Sequence, residues 1–206
     1  YSRTGLEIEL KNCIFMTHAG ASALATILGR NQGPTRLDWC CIDNSVLANG
    51  LRGNSRLTFF RARIFSQQRD ADIQDVLAIS QHRDAVIQGV LAIADALREN
   101  KGLVSLELNT GRSLAIDETC DAVFDSLKTH PTLEVLDHRA TDGFTRFSVI
   151  KSRIQAILDM LKVKTSILTI RLDSCYNEYE GTIIPYLETN RFRSRLLAIE
   201  KLSRLY

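Results

Sequence analysis

The chain has 206 residues, of which 45% are hydrophobic and 24% are charged, and its formal net charge is +2. These values are ordinary for a soluble chain that forms a core, so they exclude wholesale disorder, and the balanced charge gives no general reason to expect nucleic acid or an anionic membrane as a partner. No uninterrupted apolar run approaches the ~18 residues that a membrane-spanning helix requires.

A short phrase recurs along the chain: two adjacent apolar residues, a Leu three or four positions on, and a polar residue three beyond that. We call this polar residue the landmark; in chain order the six landmarks are Asn31, Asn54, Asn100, His130, Lys164 and Asn190. The positions three, six and seven before the landmark are apolar in all six copies, and the position ten before it is apolar in four. This is the spacing of one apolar stripe on an amphipathic helix, so we predict six one-sided helices.

Alternating segments follow most of these helices and predict short strands. The apolar residues fall at offsets of three and two in Leu103, Leu106 and Leu108, and the pattern recurs fully at Ile167-Ile170-Leu172 and loosely at Leu57-Phe60-Ala62. Leu133 and Leu136 repeat its first part, with His138 in the third place. An alternating ending is typical of a strand with one face inward. A unit of strand, turn and helix cannot bury its own apolar face, so we predict that the units stack side by side.

Three copies place a Cys three residues after a strand Leu, at Leu10…Cys13, Leu37…Cys40 and Leu172…Cys175. With the Gly20 that precedes the first helix, this run resembles the ribonuclease-inhibitor type of leucine-rich repeat. The resemblance covers nearly the whole chain. It implies one domain over 1–206 with about six repeats: an α/β horseshoe-shaped solenoid with a parallel β-sheet on the concave side and helices on the convex side. In that family the Cys sits where the strand turns away, which implies a bend at Cys40.

The spacing between landmarks is 23, 46, 30, 34 and 26 residues, and a tandem duplication explains the long interval. Segment 66–79 is followed at once by segment 80–93, and eleven of the fourteen positions are identical. The insert predicts either one long helix or a first copy that folds separately, with a break near Ser80. We expect the second copy to occupy the repeat position. A neutral surface insertion and an added contact surface both stay open.

The five cysteines are odd in number and scattered, and the chain contains no Asn-x-Ser/Thr sequon. Both features favour a reducing compartment, which we predict to be the cytoplasm, with the nucleus as the alternative. Because the sequence starts at Tyr1 without an initiator Met, we expect it to be a fragment of a longer chain.

Motifs of nucleotide-binding, metalloprotease and hydrolase sites are missing from the sequence, and the four histidines lie in different repeats. We therefore predict no catalytic, cofactor-binding or metal-binding residue, no cofactor, and no enzymatic activity. The basic run 191–195 is interpreted as a solvated face, so nucleic acid is an unlikely partner.

The surface of the predicted sheet is the remaining candidate site. Aligning the strands predicts one outward column of Glu9, Arg36, Arg61, Glu107, Asp137 and Arg171, and a second of Lys11, Asp38, Arg63, Asn109, Arg139 and Asp173. These charged side chains either form ion pairs with one another across neighbouring strands or form a surface that selects a partner protein. The resemblance implies a non-catalytic protein-binding or scaffold module that uses the concave face; we predict contacts from Glu9, Arg36, Arg61, Arg63, Glu107, Asp137, Arg139 and Arg171. The alternatives are a structural subunit of a larger assembly or a regulator of an enzyme such as a small GTPase.

Overall fold

The computed structural model describes residues 9–14, 18–40, 45–63, 76–109, 117–139, 147–172 and 174–204. Within these ranges strands and helices alternate along the chain. The strands are β1 (Glu9–Ile14), β2 (Arg36–Cys40), β3 (Phe59–Arg63), β4 (Ser105–Asn109), β5 (Val135–Arg139) and β6 (Thr169–Leu172). The helices are α1 (His18–Gly29), α2 (Ser45–Leu51), α3 (Val76–Glu99), α4 (Asp117–Lys128), α5 (Phe147–Val163) and, after a 3-10 segment at Ser174–Tyr179, α6 (Glu180–Ser203).

The six strands form one parallel sheet in the order of the sequence. From β2 to β6 each strand pairs with the next in a regular register, so that Leu106 lies beside Leu136 and Leu108 beside His138. The register between β1 and β2 shifts between Leu10 and Cys13. Consecutive helices pack against one another. Because crossovers between parallel strands are right-handed, such an order places the helices on one face of the sheet. We call the opposite face, which carries the alternating polar residues of the strands, the polar face.

The core lies between the sheet and the helix layer. The apolar stripes predicted from the landmarks are buried, as in α2, where Leu47, Ala48 and Leu51 are at most 1% exposed. Two stripe residues are less buried: Leu158 is partly buried, and Ile184 has 46% of its surface exposed. The strands contribute alternate residues to the same core, including Phe60 and Leu106. The one-sided helices and strands predicted from the spacing are therefore confirmed for these elements.

Five of the six landmarks are buried: Asn54, Asn100, His130 and Lys164 where the chain passes from a helix to the next strand, and Asn190 within α6. We call these five residues the bend column. The Asn54 amide nitrogen donates to the Leu28 carbonyl at 2.6 Å, and its oxygen accepts from the Leu57 N–H at 2.8 Å. One side chain thus joins two neighbouring units while satisfying backbone groups inside the bend. Asn31, the first landmark, is exposed instead and has a positive φ of 54°.

The duplicated segment lies partly within α3. This helix begins at Val76 and continues without a break through Ser80 to Glu99. The expected position of the second copy agrees with the burial of Val90, Ile93 and Leu97. Residues 66–75 of the first copy lie outside the described ranges.

Strand β2 differs from its predicted alignment by two residues. Its inward pair is Leu37 and Trp39, both fully buried, and Leu37 lies beside Phe60 in the register. Leu37 is thus the first inward residue of its strand, whereas the Cys spacing treated it as the last. Consequently Cys40 is the last residue of β2 and lies opposite Arg63, two residues earlier in the register than the resemblance implied. The residues that follow, 41–44, lie outside the described ranges.

Candidate protein-binding site

The polar face carries a central row of charged residues, one from each of β2 to β6: Asp38, Arg61, Glu107, Asp137 and Arg171. Alternation along each strand places them opposite the buried residues. The predicted alignment of the last four is confirmed. The placement of Glu9 and Arg36 in this row is wrong, because they pair with each other one row earlier and Asp38 takes the place beside Arg61.

Arginines connect the carboxylates of neighbouring strands. Arg61 lies between two of them, with its Nη1 3.2 Å from Asp38 Oδ2 and its Nε 2.7 Å from Glu107 Oε2. Arg63 reaches the same Asp38 oxygen at 2.6 Å. The pairing is lateral because adjacent strands lie only about 4.8 Å apart.

Arg139 extends the network to β5. It donates from Nε and Nη2 to the two oxygens of Asp137, at 3.0 and 2.9 Å, in the bidentate geometry that is strongest for this ion pair. Its Nε also lies 3.9 Å from Glu107. The structure therefore brings Arg61, Arg63, Glu107, Asp137 and Arg139 together, with Asp38 added to the predicted set. Arg171 is exposed at the β6 end of the row.

The acidic side chains of the network are buried, whereas its basic side chains are partly exposed. The Asp38, Glu107 and Asp137 side chains are only 7–8% exposed. The arginines lie over them, with Arg63 at 25%, Arg61 at 32% and Arg139 at 48% exposure. Burial lowers the pKa of Arg61, but the hydrogen bonds and charges of Glu107 and then Asp38 raise it by more, so this guanidinium stays charged. A molecule that approaches the polar face therefore meets guanidinium groups first.

An aromatic ring completes this face. Phe59 is half-buried, and the guanidinium carbon of Arg36 lies 4.3 Å from the centre of its ring, while that of Arg61 lies at 5.7 Å. Both distances are within the range of cation–π attraction. Phe59 was missing from the predicted site residues. The sequence did carry a signal for it, since Phe59, Arg61 and Arg63 alternate with the buried Phe60 and Ala62.

Behind Asp137, a histidine lies in the core. His138 is fully buried between the rings of Phe124 and Tyr176, at centroid distances of 5.6 and 6.0 Å. Burial, followed by the charge of Arg153, lowers its pKa to about 3. The imidazole is therefore neutral near pH 7 and faces away from the polar face.

The described ranges hold no group of three or more His, Cys, Asp or Glu residues placed to bind a metal ion. Within the same ranges, no helix combines the length and the apolar character needed to cross a membrane.

The fold belongs to the α/β class, with a single parallel sheet in sequence order. Fifteen chains of solved structures match it, among them "Leiomodin-1 Actin-Binding Site 2 (ABS2)", with a TM-score of 0.65 over 93% of this chain and 100% of that chain. The two sequences are 16% identical, and at that level the similarity shows the fold alone. A scan against protein-family models found no match, and a search of curated proteins found none either.

Proposed function

We propose that this chain is a leucine-rich-repeat solenoid that binds another protein, without catalysis, through the polar face of its sheet. The observation that carries the proposal is the layer of partly exposed arginines, with Phe59 among them, over buried carboxylates. Arginine and aromatic side chains are the types most enriched where binding energy concentrates in protein interfaces. Arginines engage the carboxylates of Asp38, Glu107 and Asp137, which supports a binding role over acid–base chemistry.

The same arrangement indicates the chemistry of the partner. Because the acidic groups lie underneath and the guanidiniums point outward, the partner presents carboxylates to this face. Actin is the first protein to test, since the similar leiomodin-1 chain is described as an actin-binding site. The odd number and scattered positions of the cysteines support a reducing compartment, and we propose the cytoplasm.

Charge reversal tests the proposal without breaking the network. Reversing Arg61 would place a third carboxylate against the buried carboxylates of Asp38 and Glu107, so the better variant is Arg36→Glu/Arg171→Glu, at the two sides of the face. Cosedimentation with actin filaments, and a pull-down from the source cell followed by binding of the purified partner, measure the effect. We expect binding to weaken by about tenfold or more and to weaken further with added salt.

The matched control is Arg30→Glu/Arg56→Glu, which makes the same charge change at exposed positions in two bends. It should bind the partner like the unaltered chain, and circular dichroism should be the same for all three proteins. Equal binding by the Arg36→Glu/Arg171→Glu variant would show that the polar face is not the binding site.

A further inference from the structure

Helix α6 consists of two stretches with different surroundings. From Glu180 to Asn190 it packs on the preceding unit, with Ile183 and Leu187 buried. Asn190 ends this stretch, and its amide nitrogen donates to the carbonyls of Lys164 and Ile167 at 3.1 and 3.0 Å. From Arg191 to Arg204 every residue is exposed. Arg191 still reaches the preceding unit, where its Nε donates to the Leu168 carbonyl at 2.8 Å. The second stretch, 191–204, then extends beyond the packed core, and we call it the α6 extension.

The α6 extension carries its own apolar stripe. Phe192, Leu196, Ile199 and Leu202 are 63%, 49%, 62% and 58% exposed and follow one another at intervals of four, three and three residues. This spacing puts them on one side of the helix. From Ile183 to Phe192 the helix makes roughly two and a half turns, so the stripe points away from the side that packs on the core. Within the described ranges the stripe stays exposed.

The charges around the stripe have one dominant sign. Residues 191–204 contain five basic side chains, at 191, 193, 195, 201 and 204, and one acidic side chain, Glu200. Glu200 is paired with Arg204. An apolar stripe with positive flanks on a free helix has the form of an anchor helix whose partner supplies apolar contacts and carboxylates.

We propose that the α6 extension is a second docking surface, distinct from the polar face, that packs against an acidic amphipathic helix of a partner protein. Phe192, Leu196 and Ile199 are its anchors. A second copy of this chain fits less well as the partner, because its α6 extension would bring five basic side chains against the five of the first copy. A lipid surface fits less well too, since Arg195 stands four residues before Ile199 and seven before Leu202, within the apolar sector. There a partner carboxylate can pair with Arg195, whereas hydrocarbon cannot.

The test uses two synthetic peptides of about five helical turns with the same leucine stripe, one with Glu and one with Lys at the polar positions. Fluorescence anisotropy of the labelled peptides measures their binding to the folded chain. We expect the Glu peptide to bind and the Lys peptide not to bind. Phe192→Ser/Leu196→Ser should weaken binding of the Glu peptide by about tenfold or more. Arg195→Glu should reduce the preference for the Glu peptide over the Lys peptide.

The matched control, Ile27→Ser/Val163→Ser, removes two apolar side chains that are 41% and 63% exposed on other helices. It should leave peptide binding unchanged, as should Arg36→Glu/Arg171→Glu, so that the two docking surfaces are tested separately. Absent or charge-independent peptide binding, or binding that survives Phe192→Ser/Leu196→Ser, would overturn the proposal. If the Glu peptide fails to bind, two results would identify another occupant and overturn the proposal. Adsorption to phosphatidylcholine–phosphatidylserine vesicles would indicate a lipid surface. Dimerisation that Phe192→Ser abolishes would indicate a second copy of this chain.

Discussion

Strands β4 and β5 occupy equivalent places in the sheet, but the bends that precede them are stabilised differently. Before β4, Asn100 donates to the Leu51 carbonyl at 2.8 Å and accepts from the Gly102 and Leu103 N–H groups at 3.1 and 2.9 Å. Before β5, His130 accepts one hydrogen bond, from the Thr132 N–H at 3.4 Å. Its Nε2 is buried and has no hydrogen-bond partner among the described residues.

The strands continue the contrast. Leu108 of β4 lies beside His138 of β5, and both point into the core. Neither ring nitrogen of His138 has a hydrogen-bond partner within the described part of the chain. The comparison shows that the repeat sets the backbone path at each position, whereas the side chain at that position decides how stable the unit is. An amide joins two units, while an imidazole fills the space and must remain neutral.

Acidification should therefore weaken the β5 unit most. Burial, followed by the charge of Lys164, lowers the pKa of His130 to about 4, and the pKa of His138 is lowered to about 3. Below the unfolded value of about 6.5 the unfolded chain binds protons that the folded chain excludes, so stability falls as the pH falls from 6.5 toward these folded values. With about 1.4 kcal/mol per pH unit for each histidine, the two together should cost about 3 to 4 kcal/mol between pH 7 and pH 5. Urea unfolding at the two pH values measures the difference.

The control for this effect is the double variant His130→Asn/His138→Leu, which gives the β5 unit the residues of the β4 unit. Its stability should depend much less on pH over the same interval. If the unaltered chain is equally stable at pH 5 and pH 7, the two histidines are not held neutral in the folded state.

Removing the amide from the β4 bend should have the next largest effect. Asn100→Ala leaves the Leu51 carbonyl and two backbone N–H groups without their partner in a buried bend, which should cost about 2 to 3 kcal/mol. Urea unfolding at pH 7 measures the loss, and the exposed Asn177→Ala should stay within about 0.5 kcal/mol of the unaltered chain. A loss at Asn100 no larger than that of the control would contradict the structural role of the bend column.

Making the β5 bend resemble the β4 bend should give the smallest change. His130→Asn introduces an amide that can reach the preceding unit and the N–H groups of its own bend, so we expect a gain of about 1 kcal/mol at pH 7. The gain should be measured as a higher urea midpoint with an unchanged slope. A destabilised variant would mean that the imidazole fills this position better than an amide does.

Much of the fold was predictable because the spacing of apolar residues along a helix or strand shows which side of it is buried. The stripes at Leu47, Ala48 and Leu51, and the inward pair Phe60 and Ala62, followed from spacing alone. The register of β2 did not, since the Leu37…Cys40 spacing assigned Leu37 to the last inward position and the inward Trp39 was overlooked. The register also shifts between Leu10 and Cys13, where β1 and β2 pair irregularly, so residue spacing could not be carried across that pair of strands.

The candidate site was less predictable than the fold. Sequence spacing aligned Arg61 with Glu107, but it could not show that the carboxylates lie beneath the guanidiniums, because that depends on side-chain length and packing. The α6 extension shows the same limit. Its stripe at Phe192 and Leu196 was visible as apolar residues, yet only the packing of the preceding turns reveals that the stripe faces away from the core.

The sequence order of the strands has a consequence for how the chain folds. Since each strand pairs with its neighbours in the chain, sheet formation closes only short loops, so the entropic cost of each step is low. Folding can begin at more than one junction and spread outward. In acid we expect the junction that holds His130 and His138 to open first, because both imidazoles are neutral in the folded chain, while the units before it keep their structure longer.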